Sequence, residues 1–289
     1  ERVSKIMMPI LIVLSVIIAV YSVTRPGALA GVKYFLVPNV KNFSWMTVVS
    51  AMGQMFYSLS IAMGILITFG SYMKKDTAIE DSTRNVEVFD TGIAIMAGLM
   101  IIPAVFAFSG GDPNTLQAGP SLMFITIPKV FQNMGFGTVI GIVFFLLVLF
   151  AAVTSSIALT ESAVSTFEDE LGWGRKKATV LVGVIMLALG SLSSLGYGPL
   201  AGIKIIGMQF LDLFDFLTNS VMMPIAALLT SLFVSRVVGI DKIEAEIIHG
   251  ESAFRRKKVF VVMIKYLCPV FAIIILLSSV ANALGWIKM

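Results

Sequence analysis

The 289-residue chain has one cysteine, one histidine and few charges of either sign, and each shortage closes off a class of protein. Cys268 alone cannot form an internal disulfide, so a disulfide-stapled secreted domain is excluded. His249 alone cannot build a multi-histidine metal site. Charged residues make up 13% of the chain against about 25% in soluble domains, and hydrophobic residues 57% against about 45–50%. With a mean hydropathy of +0.95, this composition excludes disorder, collagen and a conventional soluble enzyme. Walker loops, HExxH, paired CxxC and serine-nucleophile motifs are also missing, so the chain reads as no enzyme. What remains is an integral membrane protein.

A helix needs about 20 mostly apolar residues to cross the hydrocarbon core. Seven segments qualify: 6–23, 48–69, 91–108, 135–158, 178–195, 216–238 and 259–284. Lipid cannot satisfy the backbone of an open strand, and the short alternating segments of a strand barrel are missing, so the spans are read as helices. The fold class is an all-α polytopic membrane protein, with residues 1–289 as one membrane domain. The apolar piece 122–131 is too short to span and is expected to cap or re-enter. No charged region, apolar core and cleavage site precede segment 6–23, which is therefore read as a span and not as a signal peptide.

Fifteen of the 21 lysines and arginines, among them Lys74, Lys75, Arg175 and the run Arg255–Lys258, lie at one set of span ends. That set is expected to be cytoplasmic, which puts the start of the chain inside and Met289 outside. A receptor-like seven-helix bundle predicts the opposite orientation. The cytoplasmic loops are then about 73–86, 169–177 and 239–258, and a long outer loop, 110–134, is a candidate lid. The basic loops read as a topology signal, with the lipid bilayer as partner and no nucleic acid.

Polar residues inside the spans carry the functional signal. Gly53, Gln54, Ser58, Ser60 and Gly64 fall in one stretch of the second span. Serine and glycine hold a helix poorly, so a break near 58–63 is one reading and close helix packing is the other. A break frees carbonyls that suit Na⁺, and an exposed half-helix start suits a carboxylate. In the fourth span, Thr154 and Ser155 stand three to four residues beyond the carbonyl of Ala151, a partial cage for a dehydrated monovalent cation unless the hydroxyls bond back to their own helix. Charges at depth are costly, which singles out Asp90 and Glu161 as possible cation or proton sites. Asp212 and Asp215 stand at an outer span end, and Glu168, Asp169 and Glu170 at an inner one, where plain solvation also accounts for them.

Together these stretches resemble the neurotransmitter:sodium symporter family. Gly53-Gln-Met-Phe-Tyr-Ser-Leu-Ser-Ile-Ala-Met-Gly64 looks like its broken sixth helix, and Asp90-Thr-Gly-Ile-Ala with Pro103-Ala-Val-Phe is similar to its seventh. Phe150-Ala-Ala-Val-Thr-Ser-Ser-Ile-Ala158 followed by Phe167-Glu-Asp-Glu-Leu171 resembles its eighth. The resemblance implies one Na⁺ site at Ala151, Thr154 and Ser155 and a second at Ser58 and Asp90. It implies substrate contacts at Tyr57, Ser58, Ser60, Met63, Ser155 and Leu159, an outer gate at Asp215 and an inner gate at Tyr72 and Asp169. Family members commonly carry Asn where this chain has Asp90, and a carboxylate there supplies the charge that animal members draw from chloride, so chloride is not expected to be required.

On the same resemblance, the seven spans correspond to helices five to eleven of the broken-helix fold of two inverted five-helix repeats, with the second repeat at about 42–238 and an accessory helix at about 259–284. Helices one to four have no counterpart in these residues, and the first helix supplies half of each sodium site, so the chain is expected to be a fragment that works with those helices. The implied function is sodium-coupled symport of a neutral, hydrophobic amino acid across the cell membrane by alternating access. Two other readings stand beside it: a non-transporting interaction or regulatory protein, and a proton-coupled carrier or channel using Asp90 and Glu161.

Overall fold

A computed structural model describes residues 2–40, 43–108, 119, 122–132, 135–251, 253–284 and 286. Among the described residues the chain is helical, and its only strand-like pairing is an isolated bridge between Ile205 and Met208. Eleven helices follow one another among the described residues: α1 Arg2–Val23, α2 Ala28–Leu36, α3 Trp45–Ser58, α4 Ile65–Ser71, α5 Ile79–Phe108, α6 Leu122–Gln132, α7 Gly137–Leu171, α8 Arg175–Leu195, α9 Phe210–Val238, α10 Ile240–Gly250 and α11 Lys257–Ala283. Six of them (α1, α5, α7, α8, α9 and α11) are long and apolar enough to cross a membrane. The remaining expected span, 48–69, is divided between α3 and α4.

Several expected loops are shorter than the hydropathy pattern implies. α5 begins at Ile79, so 79–86, more than half of the expected loop 73–86, is helix and not loop. α7 runs on to Leu171 and α8 starts at Arg175, leaving only 172–174 between them. The loop 239–258 contains α10, whose isoleucines Ile240, Ile243, Ile247 and Ile248 fall on one side of the helix. Most of the candidate lid loop, residues 110–118, 120, 121, 133 and 134, lies outside the described residues; its described part holds α6, at about 16 Å too short to span.

The chain divides into two compact units, residues 1–43 with 88–157, and residues 44–87 with 158–289. In the first unit, Ile18, Met100, Val105, Ile127, Phe131 and Phe144 form the core. The buried Ser22 hydroxyl donates to the Met100 carbonyl at 2.7 Å, joining α1 to α5. Gly31 of α2 meets α5 where a side chain has no room: a Cβ there would stand 2.8 Å from Pro103 Cα.

In the second unit, Val49 and Phe56 of α3 pack with Met223 and Ala227 of α9 and with Ala272 and Ile275 of α11. Ser231, also buried, donates to the Ile264 carbonyl at 3.1 Å and ties α9 to α11. Both helices widen into π-turns, at 216–222 and 263–267, just before Pro224 and Pro269, whose rings cannot donate to the helical ladder. Where α5 and α11 begin, two carboxylates cap crosswise. Glu251 accepts from the backbone N–H groups of Glu80 and Asp81 at 2.6 and 3.2 Å, and Glu80 accepts from those of Arg255 and Arg256 at 2.8 and 3.1 Å. Arg256 also pairs with Glu87 at 2.8 Å.

Candidate functional site

The second unit holds the break in the expected second span. α3 starts with a capping box, the Ser44 and Thr47 side chains each bonding the other's backbone N–H. It ends at Ser58, where the amides of Leu59, Ser60 and Ile61 bond back to the carbonyls of Met55, Tyr57 and Phe56. Ser60, Ala62 and Gly64 then take positive φ of 55°, 64° and 77°. A left-handed conformation costs a non-glycine residue roughly 1–2 kcal/mol. This interruption falls where the serines and glycines of the sequence suggested a break, and close packing of an intact helix is not what they do.

Tyr57 and Asp215 share a cavity of about 350 Å³ lined also by Gly53, Gln54, Asn219 and Ser279. Asn219 Nδ2 donates to Asp215 Oδ1 at 2.5 Å, one helical turn on. Sequence reasoning named Tyr57 and Asp215 for separate roles and missed Asn219, whose i, i+4 spacing from Asp215 was the available signal. Met63 stands at the entry to α4, and its carbonyl accepts from Ser162 of α7 at 3.4 Å. Leu159, also in this unit, is 48% exposed.

Tyr72, one of the residues named for an inner gate, joins a cluster around Glu161. The Tyr72 hydroxyl donates to Glu161 Oε1 at 2.7 Å, Arg175 meets Glu161 Oε2 at 2.5 Å, and the same guanidinium reaches Glu168 at 3.2 Å. Asp169 is exposed near the end of α7. The hydrogen bond to the Glu161 carboxylate holds the Tyr72 phenol above its ordinary pKa. Glu161 is therefore an ion-paired member of a cluster with Tyr72 and Arg175. The acid singled out as a costly charge thus has a tyrosine and an arginine as partners.

In the first unit the sodium candidates of α7 lie one turn apart. Thr154 Oγ1 donates to the carbonyls of Ala151 at 2.9 Å and Phe150 at 3.1 Å, so the hydroxyl and the Ala151 carbonyl are already adjacent and the hydroxyl bonds back to its own helix. Ser155, the next residue, is exposed. Asp90 is half-buried on α5, eleven residues from the helix start. No group of three or more His, Cys, Asp or Glu side chains able to hold a metal occurs among the described residues. A site made of carbonyls, hydroxyls and one carboxylate suits a monovalent cation better than a transition metal.

Comparison with known proteins places the chain in a family. The sodium:neurotransmitter symporter family matches residues 1–286. An uncharacterized sodium-dependent transporter of Bacillus subtilis (strain 168), YhdH, is 34% identical over 281 residues, covering 97% of this chain and 61% of the relative. Another uncharacterized sodium-dependent transporter, from Haemophilus influenzae (strain Rd), is 31% identical over 281 residues, covering 96% and 60%. Among solved structures, that of MhsT in complex with L-phenylalanine is similar with a TM-score of 0.82 and 35% identity, covering 95% of this chain and 62% of that one. The chain thus spans about three-fifths of the length of the curated relatives it matches. In sequence and in helical architecture, the chain belongs to the sodium:neurotransmitter symporter family.

Proposed function

We propose that the protein carrying this chain is a sodium-coupled symporter that brings a neutral, hydrophobic amino acid into the cell by alternating access. The observation that supports it most is the break at 59–64, where three left-handed residues interrupt an apolar span. Such backbone is tolerated at membrane depth only where it lines a cavity or is buried in protein, and the adjoining α3 residues Gly53, Gln54 and Tyr57 line one.

In this reading, Tyr57, Ser58, Ser60, Met63, Ser155 and Leu159 contact the amino acid. Ala151, Thr154 and Ser155 hold one Na⁺, and Ser58 and Asp90 contribute to a second beside the substrate carboxylate. Back-bonding places the Thr154 oxygen against the Ala151 carbonyl, and the hydroxyl's lone pairs remain able to accept a cation. Tyr57 and Met63 offer an aromatic and a flexible thioether to the substrate side chain, and MhsT, the structural relative, was solved with L-phenylalanine. Asp215 serves the outer gate, Tyr72 and Asp169 the inner one, and the Asp90 carboxylate makes chloride dispensable. The remaining ligands of both sodium sites come from helices one to four of the family's fold, and the start of this chain faces the cytoplasm.

The pairing of Glu161 with Arg175 weighs against a proton-carrying role for that acid. The deciding experiment is uptake of radiolabelled amino acids into proteoliposomes holding the whole protein. An inward Na⁺ gradient is expected to drive accumulation with or without chloride. Equal uptake driven by a proton gradient in the absence of Na⁺ would refute the proposal.

A further inference from the structure

The entry to α4 is constrained from α7. Gly64, at φ 77°, opens α4, and a Cβ built there would stand 2.8 Å from Ser162 Oγ. Ser162 is itself 6% exposed, and its hydroxyl donates to the carbonyl of Met63, the residue just before Gly64. A hydrogen bond and a steric contact thus fix the same side chain against the same two residues. One turn along, the buried Thr68 shares a hydrogen bond with Ser165 at 3.3 Å. Ser165 and Thr166 both donate to the Ser162 carbonyl, which holds the backbone of residue 162 in place.

Two physical requirements meet here. A carbonyl released by a helix break away from water needs a donor, and Ser162 supplies one to Met63. A seven-residue helix has too few internal bonds to hold itself, so the position of α4 is set by what it packs on. The Ser162–Met63 and Thr68–Ser165 hydrogen bonds tie it to α7.

We propose that Ser162 is the positioning residue of the break, holding the Met63 carbonyl and abutting Gly64 so that it sets how far the Met63 side chain projects and which substrate side chains are admitted. This rests on the reading of Met63 as a substrate contact. Ser162→Ala removes the donor and opens space beside Gly64. Ser162→Thr keeps the donor and adds a methyl group to a side chain that is 6% exposed and stands beside Gly64.

The test has two readouts in the whole protein. In uptake assays with amino acids of graded side-chain size, Ser162→Ala is expected to raise KM for the best substrate about three- to tenfold, the effect of one hydrogen bond, with kcat changing less than about twofold. Selectivity should shift towards larger side chains in Ser162→Ala and towards smaller ones in Ser162→Thr. An equal loss for all substrates would mark a merely structural role and overturn the proposal. The second readout does not need transport. In a background with Cys268→Ser and any other cysteine of the whole protein replaced, the cysteine introduced by Met63→Cys is labelled with a water-soluble methanethiosulfonate, and adding Ser162→Ala should change the labelling rate several-fold. If the parent protein shows no sodium-driven uptake, the functional reading fails and labelling alone decides the positioning role: a changed rate upholds it, and an unchanged rate overturns it.

Discussion

Replacing Glu251 with alanine removes a helix cap that lies 171 residues away in sequence from the helix it caps. Glu251 accepts from the first amides of α5, those of Glu80 and Asp81, which have no partner within their own helix. A hydrogen bond to a charged group contributes about 1.5–3 kcal/mol net, and the loss of an N-terminal cap costs roughly 0.5–2 kcal/mol. Both glutamates are half-buried, so screening by water lowers the expected cost to about 1–2 kcal/mol, a factor of roughly 5–30 in a local opening equilibrium. Hydrogen exchange resolved to the first turn of α5 should therefore show the Glu80 and Asp81 amides exchanging about 5–30 times faster in Glu251→Ala. Glu251→Gln keeps an acceptor and loses only the charge at the helix start, worth about 0.3–1 kcal/mol, and should fall between the two. Glu80→Ala should release the amides of Arg255 and Arg256 in the same way. Unchanged exchange at Glu80 and Asp81 in Glu251→Ala would show that water caps α5 as well as the carboxylate does, and the reasoning would fail.

Thr154→Ala with Ser155→Ala should raise the Na⁺ concentration for half-maximal uptake at least about tenfold, since two ligand oxygens are lost at about a hydrogen bond's worth each; an unchanged Na⁺ dependence refutes that site. Asp90→Asn should make uptake chloride-dependent, and identical uptake with and without chloride would sink the charge argument. Tyr72→Phe removes the donor to Glu161. Because the folded-state phenol is raised above its ordinary value, its contribution is complete below about pH 10 and is lost as pH climbs through the raised value. The stability difference from the parent should therefore be flat between pH 6 and 9, and a difference that titrates within that window would contradict the assignment. Gly31→Ala forces a methyl group against the α5 backbone at Pro103 and should destabilise the first unit by about 1–3 kcal/mol, read as an earlier thermal transition.

The helical spans were legible because a membrane imposes a length, and runs such as 6–23 and 135–158 meet it whatever they pack against. The break at 59–64 was legible for the same local reason: Ser58, Ser60 and Gly64 weaken a helix wherever they occur. The first turns of α5 and the whole of α10 were hidden. Their residues are polar enough to read as loop, and packing and the Glu80–Glu251 exchange of caps provide what hydropathy cannot register.

The site divides along the same line. Residue types by themselves singled out Ser58, Asp90, Thr154 and Ser155, because they are polar where apolarity is the rule, and it is the family resemblance that makes them proposed oxygen ligands for a monovalent cation. Only the tertiary structure decided that Tyr72 turns to Glu161, that Arg175 pairs with that same acid, that Tyr57 and Asp215 share one cavity, and that Ser162 braces Met63 and Gly64. The partners in each of these contacts lie from 14 to more than 150 positions apart, and hydropathy is a property of one segment at a time. Which segment faces which is set by packing over the whole chain.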